Sequence, residues 1–125
     1  RDPMRHIDRL AAETDVSFTF DTKMAAFHRQ LDDVFAPERV KLWRDRRIRH
    51  IHINDYAGGY MDWSNLRTLH PGQGNIDFAR FFTRLKDMGY SGDCTIEATS
   101  FDQAGEVDLD ALNRDFEYVR DCLAR

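Results

Sequence analysis

Apolar residues in this chain recur at two spacings, about 3.6 and 2, and the chain switches between them repeatedly. Met4, Ile7, Leu10 and Ala11 predict a helix over about residues 3–14. Asp2-Pro3 opens it, because Asp can cap and Pro suits the first helical turn. Strict alternation follows in Val16-Ser17-Phe18-Thr19-Phe20-Asp21. A second helix is expected around 25–35, with Ala26, Phe27, Leu31 and Val34 on one side, and Pro37-Glu38 starts a short one through Val40, Leu42 and Trp43. A strand over about 47–55 precedes a long connection, 56–75, containing Gly58-Gly59 and Pro71-Gly72-Gln73-Gly74. Connections of that length inside compact domains are usually functional. Asp77 then caps a helix striped by Phe78, Phe81, Phe82, Leu85 and Met88, and Gly89 ends it. The last strand falls at about 93–98. The final helix, from about 107, is expected to turn Leu109, Leu112, Phe116, Val119 and Leu123 inward.

Strands separated by helical crossovers pair in parallel, with right-handed connections. Side chains alternate across a strand, so Val16, Phe18 and Phe20 oppose Ser17, Thr19 and Asp21. Likewise Ile51 and Ile53 oppose His50, His52 and Asn54, while Cys94 and Ile96 oppose Thr95 and Glu97. If helices cover the apolar faces, Asp21, His52 and Glu97 converge where the strands finish, the end at which α/β proteins place their chemistry. Ser17, Thr19, His50 and Thr95 form a polar layer on the uncovered face, as suits a barrel lumen near its mouth. The pattern therefore predicts an α/β fold that is part of a closed barrel.

Composition narrows the picture modestly. The 125 residues carry a formal charge of −4 and are 42% hydrophobic, enough for the core of one domain. No apolar run approaches the roughly 20 residues that span a bilayer, and no secretory leader is expected. Cys94 and Cys122 are expected to be buried thiols, which makes a reducing, cytoplasmic setting the default. A chain that opens at a helix threshold without an initiator methionine looks cut from something longer.

Each candidate residue has a functional and a plainer reading. Asp21 is a metal ligand or the N-cap of the next helix. His52 is a metal ligand or a buried histidine bonded to a neighbouring strand, a role that suits His50, one layer deeper, better. Glu97 is a ligand and a base, or the partner of a lumen arginine. An imidazole with carboxylates suits Mn²⁺, Co²⁺, Zn²⁺ or Mg²⁺ without choosing among them. Asp55 either orients the loop or supports His52 from behind. Arg67 could clamp a substrate hydroxyl or phosphate, or simply be solvated. Trp63 and Tyr60 could wall a sugar or merely anchor the loop. Gly72-Gln73-Gly74 follows a loop rather than a strand, so a turn with positive φ fits it better than a phosphate cradle. His70 receives no role. Arg44, Arg46, Arg47 and Arg49 invite a nucleic-acid reading, but Asp45 interrupts them, the chain is acidic, and cations at a helix end have a dipole explanation.

Five segments together resemble the xylose isomerase-like TIM-barrel superfamily. They are Phe20-Asp21-Thr22, Ile48 through Asp55, His70-Pro71-Gly72-Gln73-Gly74-Asn75-Ile76-Asp77-Phe78, Gly89-Tyr90 with Gly92, and Thr95-Ile96-Glu97. Within that superfamily the likeness is to the sugar phosphate isomerase/epimerase group, with endonuclease IV-type repair enzymes more distant. The resemblance implies the C-terminal part of a (β/α)8 barrel, so that residues 1–125 form one partial barrel domain. It implies a divalent metal held by Glu, Asp, His and Glu from successive strands, with Asp21, His52 and Glu97 as the second, third and fourth. The first Glu would lie upstream of Arg1. Where the family often places a His three residues after the Asp, this chain has Met24, which argues against a multinuclear site.

The activity so implied is isomerisation or epimerisation of a sugar or related hydroxy-carbonyl compound by enediolate proton transfer, with Glu97 moving a proton beside the carbonyl. The expected partner is a small sugar, not nucleic acid or a membrane. Two rivals remain. A phosphodiesterase would need further His and Asp ligands that Leu66-Arg67-Thr68 does not supply. A catalytically silent fragment, or a half-barrel pairing with itself as a homo-oligomer, would fit a sheet with open edges.

Overall fold

In the computed structural model, which describes residues 2–97 and 101–125, β1 (Phe18–Asp21), β2 (Ile48–Ile53) and β3 (Asp93–Ile96) form a parallel sheet in the order β1-β2-β3. Helices α1 (Pro3–Glu13), α2 (Thr22–Phe27), α3 (Val40–Arg44), α4 (Phe78–Asp87) and α5 (Leu109–Ala124) alternate with the strands. This is an α/β arrangement, a partial barrel of three parallel strands.

Local chemistry sets most boundaries as expected. Asp2 caps α1 by accepting from the Arg5 N–H, with Pro3 in the first turn. Asp77 caps α4 by accepting from Arg80 N, and Gly89 leaves it at φ 69. The second helix differs from expectation. It starts at Thr22 and stops at Phe27, because Asp21 caps it at once and Arg29 adopts a left-handed φ of 54. A single 3₁₀ turn, Asp33–Phe35, follows, and Ala36 is extended ahead of Pro37, as a residue preceding proline must be.

The core lies between the sheet and the helices. Ile51 and Ile53 are fully buried, as are Phe27, Phe78 and Phe82. Phe35 stacks on Trp43 at 5.4 Å between ring centroids, and Phe81 meets both Phe20 and Phe35. The α4 stripe points inward as its spacing requires, with Met88 half-buried at its end.

The face of α5 meets expectation at Val119, which is buried, and at Leu112, half-buried, but departs from it elsewhere. Ala111, Asp115, Val119 and Cys122 are the buried residues, whereas Leu109, Phe116 and Leu123 are exposed. The helix packs chiefly against α4, with Tyr118 edge-on to Phe78, and that contact takes the small and polar stripe inside. Cys94, on the edge strand β3, is exposed as a residue although its sulfur is partly packed. Cys122 is buried. The expected lumen layer is open to solvent: Thr19 and Thr95 are exposed and His50 is half-buried. The last position of the expected third strand, Ala98, lies outside the described residues.

Two outcomes follow. Phe78→Ala empties a fully buried ring site and should cost about 3–5 kcal/mol in urea denaturation. At Cys94, packing around the sulfur and then the Asp93 charge push the thiol up to about 11. Its alkylation at pH 8, followed by peptide mass spectrometry, should run about a hundred-fold slower than that of a free thiol and accelerate toward about pH 11.

Candidate metal centre

Register, more than any single contact, assembles the site. Asp21 pairs with His52 across β1 and β2, and His52 pairs with Thr95 across β2 and β3. Glu97 lies two residues past Thr95 and so returns to the same face. The ladder continues to it through a bond from Glu97 N to the Ile53 carbonyl, at 2.9 Å.

The three side chains meet. Glu97 Oε2 is 3.2 Å from His52 Nδ1, and Asp21 Oδ2 is 4.0 Å from the same nitrogen. Taking one donor atom from each residue, all three lie within 4.8 Å of one another. Donor atoms about 2.0–2.2 Å from a single ion sit at most about 4.4 Å apart, so these three lie near the spacing that a shared ion requires. Asp21 Oδ1 accepts from Met24 N at 2.8 Å and caps α2, while Oδ2 faces the histidine.

Behind this rim lies a buried polar layer. Asn54 and Thr22 are fully buried and interlocked: Asn54 N donates to Thr22 Oγ1 at 3.1 Å, and that hydroxyl donates to the Asn54 carbonyl at 2.7 Å. The Asn54 side chain donates to Glu97 Oε2 at 3.0 Å. Sequence reasoning put Asn54 on the polar face but assigned it nothing. Its parity with His52 was the available signal.

Asp55 is also fully buried, and its carboxylate holds the long connection. Oδ1 accepts from Tyr56 N and Ile76 N, and Oδ2 accepts from Gly72 N and Gly74 N. Of its two expected roles the geometry displays the loop-orienting one, and the bonds it makes do not run to His52. Gly74 admits no side chain, since a Cβ there would lie 2.5 Å from Asp55 Oδ1 and from the Tyr56 carbonyl. The Gly72-Gln73-Gly74 turn has φ 89 at Gly72, and the amides of both its glycines already bond to Asp55.

The remaining candidates are more peripheral. His50 bonds to Thr95 Oγ1 at 2.8 Å on the neighbouring strand, one layer below the rim. Arg67 is exposed on the connection, next to Thr68, which contacts Lys23 Nζ at 3.4 Å. Trp63 packs edge-on against Phe27 at 5.0 Å yet stays 67% exposed. Arg29 lies over the Tyr60 ring. His70, unassigned from sequence, meets the buried Asp115 of α5 at 2.6 Å. No sequence signal marks that pair, because the two residues are 45 positions apart.

Parallel strands alternating with helices, with carboxylates and an imidazole gathered at the strands' C-terminal ends, define a barrel-type α/β protein. Its sequence matches the xylose isomerase-like TIM barrel family over residues 2–122, and the chain belongs to that family. Its fold is similar to that of a solved xylose isomerase domain protein from Alicyclobacillus acidocaldarius subsp. acidocaldarius, with a TM-score of 0.69 at 19% identity. The likeness covers 97% of this chain and 42% of that one, so this chain spans less than half of the neighbour's length. Among curated proteins no match was found. No helix among the described residues is long and apolar enough to cross a membrane.

Asp55→Ala would orphan four amide donors, two of them buried, and should cost more than about 3 kcal/mol. Urea melts will measure the loss, and limited proteolysis should locate new cleavage within 56–76.

Proposed function

We propose that this chain forms part of a divalent-metal-dependent isomerase or epimerase acting on a sugar or related hydroxy-carbonyl compound. The observation that carries the reading is the meeting of Asp21, His52 and Glu97 at the ends of three adjacent parallel strands. Their donor set, one imidazole and two carboxylates, fits Mn²⁺, Co²⁺, Mg²⁺ or Zn²⁺. Such an ion, when bound, supplies a Lewis acid that polarises a carbonyl oxygen.

The chain's own residues then divide the work. Asp21 and His52 hold the centre. Glu97, 53% exposed at the rim, can reach a substrate carbon and take the proton beside the carbonyl, leaving an enediolate. Returning a proton to the neighbouring carbon, or to the opposite face of the same carbon, completes isomerisation or epimerisation. A partner carboxylate and a fourth ligand would come from the remainder of the barrel. Arg67 and Trp63, both exposed on the long connection, would contact a sugar's hydroxyls and its apolar face.

Calorimetric titration of the assembled barrel with Mn²⁺ should find one site, abolished by His52→Ala. In the assembled barrel, exchange of a ketose's α-proton with solvent deuterium, followed by NMR, should fall about 10²–10⁴-fold in Glu97→Gln. Unchanged exchange would remove Glu97 from the chemistry, and absence of Mn²⁺ binding would sink the reading altogether.

A further inference from the structure

We propose that Asn54 is the positioning residue of this centre, holding the Glu97 carboxylate against His52 and thereby setting cation affinity. The inference rests on reading Glu97 as a ligand. Asn54 is fully buried, and both ends of its amide are committed. Oδ1 accepts from Lys23 N at 3.0 Å, in the first turn of α2, and Nδ2 donates to Glu97 Oε2 at 3.0 Å. An N–H on one side and a carboxylate on the other permit only that orientation of the amide.

Glu97 needs such a partner. It lies one residue beyond β3, on an edge strand, and a half-exposed carboxylate there is otherwise free to turn toward solvent. The oxygen that accepts from Asn54 is the same Oε2 that sits 3.2 Å from His52 Nδ1. The Asn54 backbone is in turn locked to Thr22, which directly follows Asp21. One buried amide therefore ties the ends of β1, β2 and β3 together, and it aims the least anchored of the three ligands.

Mn²⁺ titration of the protein, of Asn54→Ala and of the core variant Phe82→Leu tests this. Asn54→Ala should weaken binding about 10–100-fold, the range for residues that support a metal ligand. Phe82→Leu, destabilised but remote from the rim, should keep the parent affinity. An equal loss in both variants, or parent-like affinity in Asn54→Ala, overturns the proposal.

A crystal structure of Asn54→Asp gives a second reading that needs neither metal nor a foldable alanine variant. Asp keeps an acceptor for Lys23 N but replaces the donor with an oxygen facing Glu97. Glu97 should leave ion-pair distance of His52, and Glu97 remaining in place overturns the proposal. Failure of the parent protein to bind Mn²⁺ would count against the proposed function, and the Asn54→Asp structure would still decide this one.

Discussion

In a parallel sheet, neighbouring strands deliver their last residues to a common level only if the hydrogen-bond register between them is held. Here that register places Asp21 beside His52 and His52 beside Thr95, and one more step of the pleat brings Glu97 onto the same face. A one-residue slip of any strand would turn its rim residue toward the helices and put an apolar side chain in its place. The buried Ile51 and Ile53 oppose such a slip, since it would drive them into the open lumen face. Core packing and site assembly are therefore two consequences of the same constraint.

Beyond the strand ends, where ladder bonds stop, buried side chains take over. Thr22, Asn54 and Asp55 are each fully buried and each bonded to backbone groups across a junction. Buried polar groups are costly unless satisfied, and once satisfied they specify a single arrangement. Asp55 turns a twenty-residue connection into an ordered rim by gathering amides from three of its positions and from Ile76 just beyond it, and His70 fastens the same connection to α5 through Asp115. The site is thus framed by charge and amide chemistry on one side and by the sheet on the other.

The opposite side of the sheet is open. Thr19 and Thr95 face solvent there, and on the helical side Leu109, Phe116 and Leu123 form an uncovered apolar line on α5. Three strands cannot close a barrel. This agrees with a chain that spans 42% of its solved neighbour.

Much of this was legible from residues alone. Period-two alternation put Asp21, His52 and Glu97 on one face because strand geometry leaves no other option, and capping chemistry located α1 and α4 to within a residue or two. The length of α2 was not legible, since a left-handed Arg29 ends a segment whose apolar spacing looks continuous. Nor was the buried face of α5, which contact with α4 and the pull of His70 on Asp115 decided against the larger hydrophobes. Asn54 and Asp55 could be placed on or near the rim from sequence, but not given partners. Periodicity is a local property of the chain and fixes the direction in which a side chain leaves the backbone. Which donor meets which acceptor across 17 to 45 residues of chain depends on how elements pack, and only the tertiary structure decides that.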